Sequence, residues 1–143
     1  NCTFLACNLS NAMLRDTSFQ DATFQDCKML GLKFNGCSTF LLAFSFDNCM
    51  LDFSSFYQLN MSTSSFNNCS LREVDFTQCN LSGVDLADCN LTGASFEETN
   101  LHKADLRSAY GFSIDPELNN IKQANFSRDG LPGLLTKYKL NIE

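Results

Sequence analysis

Residues 76–106 read FTQCNLSGVDLADCNLTGASFEETNLHKADL. Counting by fives from Phe76 meets Leu81, Leu86, Leu91, Phe96, Leu101 and Leu106, and two residues before those later centres stand Cys79, Val84, Cys89, Ala94, Thr99 and Ala104. Residues two apart on an extended segment face the same side. Each pentapeptide therefore sends one small and one large apolar residue inward and spends the rest on a corner. Neither the 3.6-residue period of a helix nor the alternation of a plain strand keeps a period of five on one side.

Toward the N-terminus the centres continue through Leu71, Phe66, Met61, Phe56, Leu51, Phe46 and Leu41, and then, in a shifted register, through Phe34, Met29, Phe24, Phe19, Leu14, Leu9 and Phe4. Every centre is Leu, Phe or Met, which accounts for most of the 14 phenylalanines in 143 residues. A longer period lies over the short one. Ser45-Phe46-Asp47-Asn48-Cys49-Met50-Leu51 is echoed by Ser65-Phe66-Asn67-Asn68-Cys69-Ser70-Leu71 and by Asp85-Leu86-Ala87-Asp88-Cys89-Asn90-Leu91. Four pentapeptides thus close one coil, and Phe56, Phe76 and Phe96, Leu51, Leu71 and Leu91, and Met61, Leu81 and Leu101 should stack as ladders inside a solenoid.

Ala94-Ser95-Phe96-Glu97-Glu98, Ala104-Asp105-Leu106-Arg107-Ser108 and Cys79-Asn80-Leu81-Ser82-Gly83 resemble the pentapeptide-repeat family pattern of Ala or Cys, Asp or Asn, Leu or Phe, and two polar residues. The resemblance covers residues 1–111, with a return near Phe126. It implies an all-β solenoid, a right-handed quadrilateral β-helix, over residues 1–126.

The pattern breaks twice. Phe34 and Leu41 are seven residues apart instead of five, which predicts a bulge near 35–40, around Asn35-Gly36-Cys37-Ser38. Large residues fill the small position at Leu32, Phe44 and Leu59, while Phe40, Leu42 and Tyr57 fall at outward positions and form a candidate apolar patch; local repacking is the alternative. After Gly111 the repeat lapses until Phe126, so residues 112–122 are expected to leave the coil as a surface excursion.

From residue 127 the period changes. Leu131, Leu134, Leu135 and Tyr138 lie at i, i+3, i+4 and i+7, predicting a short α-helix with Ser127 or Asp129 as its cap, and Leu140 and Ile142 alternate like a brief strand. Residues 127–143 read as a module covering the open end of the solenoid. It caps its own chain or, as the resemblance to quinolone-resistance (Qnr-like) members implies, exchanges across a two-fold axis to make a homodimer. Leu131, Leu134, Leu135, Tyr138, Leu140 and Ile142 are the candidate interface.

Eight cysteines invite a metal or disulfide reading, but seven occupy the small inward position, Cys37 being the expected exception. Cys49, Cys69 and Cys89 fall in one row, which denies zinc its tetrahedral convergence. They are expected to be reduced, buried small hydrophobes, with no metal or cofactor site. The single histidine, His102, follows a centre and faces solvent with no Ser, Asp or Cys patterned toward it, so no catalytic residue and no enzyme activity are expected.

Ten basic against sixteen acidic residues give a net charge of −6, which argues against direct nucleic-acid binding. No run of about eighteen apolar residues and no basic stretch followed by an apolar core occurs, so neither a membrane span nor a signal peptide is expected, and the cytoplasm is the expected compartment. Asn1 opens the chain in mid-pattern, as a fragment of a longer repeat would. Asp85, Asp88 and Asp105 cluster on one wall, with Asp75, Glu97 and Glu98 near another.

The Qnr-like resemblance implies a DNA mimic that binds DNA gyrase or topoisomerase IV in place of DNA and modulates quinolone sensitivity. A general protein-interaction scaffold using the apolar patch or the 112–122 segment is the alternative. Five coils at about 4.8 Å span roughly 25 Å, over which duplex DNA carries about fifteen charges. A net of −6 is sparse by that standard and serves solubility equally well.

Overall fold

A computed structural model describes all 143 residues. Four short strands, β1 (Cys2–Leu5), β2 (Ala22–Gln25), β3 (Phe44–Asp47) and β4 (Ser65–Asn67), form one parallel sheet in the order β1-β2-β3-β4. Phe4 pairs with Phe24 and Phe46 with Phe66, an offset of one coil. The other walls are held by isolated parallel bridges such as Lys28 with Met50, Ser55 with Asp75 and Asn80 with Asn100, because a five-residue edge turns its corner before a longer ladder can form. The chain is a right-handed quadrilateral β-helix. Its walls are numbered by their centres: wall 1 carries Phe24, Phe46 and Phe66; wall 2, Met29, Leu51 and Leu71; wall 3, Phe34, Phe56 and Phe76; wall 4, Met61, Leu81 and Leu101.

The corners explain the polar half of each pentapeptide. Asn or Asp before the centre accepts the backbone N–H two residues ahead: Asn60 from Ser62, Asn80 from Ser82, Asn100 from His102, Asp75 from Thr77, and Asp105 from Arg107. This side-chain turn replaces a ladder bond that the corner cannot make. Two residues past the centre the backbone enters the left-handed region, as at Asn48, Asn68 and Asp88 with φ of 53°, 53° and 56°. Asn and Asp tolerate that region best among residues with a Cβ; Thr63, β-branched, stands at such a corner without a positive φ.

Inside, the phenylalanines of walls 1 and 3 form two columns. Phe24, Phe46 and Phe66 stack at 5.4 and 5.2 Å, and Phe56, Phe76 and Phe96 stack at 5.5 and 5.4 Å. The columns meet edge to face, Phe56 against Phe66 at 5.6 Å and 90°. Both geometries suit the aromatic quadrupole. Leu51, Leu71 and Leu91 and Met61, Leu81 and Leu101 fill the remaining sides and are fully buried. The ladders expected from the twenty-residue period are present.

Both pattern breaks differ from expectation. Ser18 still pairs with Ser38 one coil above, whereas Phe24 pairs with Phe46, two residues further on than the regular offset. The extra residues therefore enter between Thr39 and Ala43, after the segment around Asn35-Gly36-Cys37-Ser38. Cys37 consequently keeps the small inward position, in line with Thr17 below it, and is buried. Leu41, counted as a centre, is exposed, and Leu42, counted as outward, is buried. The two added residues shift the inward side along the chain by an amount the spacing alone leaves undetermined.

Residues 112–122 make no excursion. Asn90 pairs with Tyr110, Asn100 with Asn120 and Asp105 with Asn125, so this segment has the length of any other coil. Phe112 and Ile114 are buried, and the Asn119 amide donates to the Phe96 and Asp115 carbonyls where a ladder bond is missing.

The C-terminal segment forms two 3₁₀ turns, Leu131–Leu134 and Thr136–Tyr138, in place of the expected α-helix. Pro132 lacks an N–H and Gly133 weakens helix propagation, and Lys139 at φ 51° ends the second turn. Ser127 Oγ accepts the Gly130 N–H in the turn before the first 3₁₀ turn, whose own cap position, Gly130, has no side-chain cap bond. Leu140 and Ile142 form no strand, since no backbone hydrogen bond reaches residues 140–143.

Candidate functional site

The interior is filled by side chains, and its polar groups are paired. Its buried polar residues are Ser54, Ser64 and Thr99, and no buried side-chain nitrogen or oxygen lacks a hydrogen-bond partner. No three His, Cys, Asp or Glu side chains converge. On the walls, the helix aligns polar and charged side chains at the coil spacing.

Charge is unevenly shared among them. The bridges from Lys33 through Ser55 and Asp75 to Ser95 place Asp75, Glu97 and Glu98 on wall 3, and the twenty-residue step adds Asp115 and Glu117 above them and Asp16 below, against Arg15 and Lys33 near its N-terminal end. On wall 1, Asp85 pairs with Asp105 across one coil and Asp88 lies at the adjoining corner. Wall 4 has Asp21 as its single carboxylate and carries His102, Lys103 and Lys122. Asp115 and Glu117 escape a reading of 112–122 as an excursion; the twenty-residue step from Ser95 to Asp115 is the signal that finds them.

The predicted triad on wall 1 is brought together but partly neutralised. Arg107 Nη2 lies 2.8 Å from Asp105 Oδ2, and its Nε donates to the same carboxylate. The Arg107 guanidinium, followed by the Arg107 backbone N–H, holds the Asp105 carboxyl below the usual carboxylate range. Asp85 and Asp88 remain exposed and free of ion pairs. On wall 3, Lys137 of the C-terminal segment reaches Asp115 at 3.0 Å and Glu117 at 3.1 Å, leaving Asp75, Glu97 and Glu98 without ion-pair partners.

The expected apolar patch does not assemble. Phe40 is 69% exposed, Leu42 is buried, and Tyr57 is half-buried at a different corner, in a groove with Lys33, Asn35, Ser55 and Asp75. The insertion instead presents Phe40 together with Leu41, 65% exposed, as an apolar projection. Leu41 is missed in the sequence because the five-residue count assigns it to the core.

At the C-terminal end, Leu134 packs on the core and Leu135 is half-buried, whereas Leu131, Tyr138, Leu140 and Ile142 are exposed. The Ile114 N–H donates to the Gly133 carbonyl, Ser113 and Thr136 hydroxyls bond each other, and Tyr138 Oη donates to Glu117. The segment thus caps its own last coil. All eight cysteines are free thiols. Burial alone pushes the Cys37 thiol up to about 11, and burial, with a smaller contribution from Asp75, pushes Cys79 up to about 12. No helix is long and apolar enough to cross a membrane.

The family model for pentapeptide repeats matches eight copies, over residues 2–38 and 69–107. The chain belongs to the pentapeptide-repeat family. The unmatched stretch between those blocks contains the insertion at 39–43, although the coils above it keep the repeat. Among solved structures, the chain is similar to full-length QnrB1, a plasmid-mediated fluoroquinolone resistance protein (11% identity, 97% of this chain and 98% of that one, TM-score 0.44). It is also similar to HetL, involved in heterocyst differentiation regulation in the cyanobacterium Nostoc (10% identity, 87% and 83%, TM-score 0.25). A third is a pentapeptide-repeat protein of the Arabidopsis thaliana thylakoid lumen (17% identity, 76% and 68%, TM-score 0.24). No curated protein matches the sequence.

Proposed function

We propose that this pentapeptide-repeat protein is a non-enzymatic binder of a type II topoisomerase, DNA gyrase or topoisomerase IV, occupying the DNA site by charge mimicry and modulating quinolone sensitivity in the cytoplasm. The observation that carries this reading is wall 3, where Asp75, Glu97, Glu98, Asp115 and Glu117 fall on three successive coils. Three coils span about 14 Å, over which a duplex carries about eight charges; wall 3 sets five carboxylates against that number, two of them sharing Lys137. The wall 1 cluster of Asp85, Asp88 and Asp105 is the smaller candidate: Arg107 answers Asp105 there as Lys137 answers Asp115 and Glu117 on wall 3, and the cluster keeps two unpaired carboxylates where wall 3 keeps three. A homodimer through Leu131, Tyr138, Leu140 and Ile142 would lengthen the rod without changing its charge density. A supercoiling assay tests the reading: micromolar protein should inhibit gyrase or protect it from a quinolone, and Glu97→Lys with Glu98→Lys should abolish the effect. Neither inhibition nor protection by the unaltered chain sinks it.

A second reading is favoured by one feature, the Phe40–Leu41 projection. Exposed aromatic and aliphatic side chains on an insertion are suited to anchor in a partner's apolar pocket. A protein scaffold of this kind would lose its partner when Phe40 and Leu41 become Ser while keeping it when Glu97 and Glu98 become Lys.

A further inference from the structure

Cys7, Cys27, Cys49, Cys69 and Cys89 form one inward column, because the residues that follow them pair in succession: Asn8 with Lys28, Lys28 with Met50, Met50 with Ser70, and Ser70 with Asn90. Four of these thiols share one hydrogen-bond pattern. Cys27 donates to the Phe4 and Gln25 carbonyls, Cys49 to Phe24 and Asp47, Cys69 to Phe46 and Asn67, and Cys89 to Phe66 and Ala87. One partner is always the Phe centre one coil below and the other lies two residues earlier on the same coil. The same rotamer on in-register strands moves the sulfur by one coil, about 4.8 Å.

That spacing excludes the familiar uses of paired cysteines. It is far beyond a sulfur–sulfur bond of about 2.05 Å, and a single file cannot surround a tetrahedral ion. Two metal–thiolate bonds of the zinc length, about 2.3 Å, laid end to end, however, span about 4.6 Å, and the shorter bonds of a two-coordinate cation would draw neighbouring sulfurs slightly together. Thiolates also select soft cations.

We propose that neighbouring thiols of this column form linear, two-coordinate sites for a thiophilic closed-shell cation of the cuprous type. Binding breaks two S–H bonds, forms two sulfur–metal bonds and releases both protons to solvent, with no change of oxidation state. The carbonyls on the thiol's own coil keep backbone donors when the thiol protons leave: Asp47 O accepts from the Asp26 N–H, and Asn67 O from the Asn48 N–H. On the outer face of the same wall an open groove of about 240 Å³ counts Cys49, Cys69, Met50 and Asp88 among its lining residues, the two thiols themselves being buried.

Adjacency, not thiol number, then sets capacity. Five thiols in file hold two cations. Anaerobic titration of the folded chain with Cu(I), followed by thiolate-to-copper absorption and native mass, should end at two per chain. Cys37→Ser with Cys79→Ser, both outside the column, should still bind two. Cys27→Ser with Cys69→Ser removes as many thiols but leaves Cys7, Cys49 and Cys89 without neighbours, and should bind none. Serine already fills the small inward position at Ser54 and Ser64, so these variants should fold; the single variants give the same test, Cys69→Ser halving uptake and Cys49→Ser leaving it whole. Equal uptake by the two double variants, uptake accompanied by loss of the β signal in circular dichroism, or no uptake by the unaltered chain overturns the proposal.

Discussion

The repeat is interrupted at 39–43 and again at 112–122, and the two regions respond in opposite ways. The first adds two residues, and the chain puts Phe40 and Leu41 into solvent while Leu42 stays in the core. The second loses the pentapeptide pattern almost entirely, yet Asn100 still pairs with Asn120, and Phe112 and Ile114 stay inside. Coil length therefore governs where the backbone runs, and residue identity governs only how well each position is filled. A parallel ladder tolerates an imperfect side chain more readily than a slipped register, since a slip reverses every inward position above it.

Substitutions can break this contrast. Phe112→Ala should have the largest effect, about 3–5 kcal/mol in a urea or thermal melt, because its ring is buried between Phe126 and the C-terminal cap. An effect under about 1 kcal/mol would mean that the segment is peripheral after all. Gly133→Ala should follow at about 1–3 kcal/mol: a Cβ there would lie 2.6 Å from the Phe112 carbonyl oxygen, which the coil holds in place. Faster hydrogen exchange of the Ile114 amide, bonded to the Gly133 carbonyl, would report that displacement.

Acid should loosen the same cap more gently. The Asp115 carboxyl is held below its ordinary value of 3.8 by the Glu117 N–H and then by Lys137. A group with a depressed folded pKa stabilises fully above its unfolded value and loses that contribution as pH falls through the folded one. Protection of the Ile114 amide should therefore be constant down to about pH 4 and decline below it, and Lys137→Met should remove the part of that decline due to the ion pair. The smallest effect belongs to the insertion: Phe40→Ser with Leu41→Ser should change stability by no more than about 0.5 kcal/mol, and a larger loss would show that these side chains support the coil.

The candidate surfaces were less legible than the core. Asp85, Asp88 and Asp105 could be placed together by counting, but the Arg107 fork onto Asp105 depends on a rotamer that no repeat encodes. Nominal outwardness groups Phe40, Leu42 and Tyr57, and the register shift scatters them. Cys37 stands apart from the other cysteines only while the extra residues are counted around Asn35-Gly36-Cys37-Ser38 and not after it.

The family pattern and the two periods in the sequence determined the solenoid, its ladders, and the small and large inward positions, because a period of five admits few arrangements that bury every centre. Tertiary pairing decided where the inserted residues go, that residues 112–122 complete a coil, and which carboxylates share wall 3. Those outcomes depend on hydrogen bonds to the coils above and below, and each such partner lies about twenty residues away, beyond the reach of local pattern.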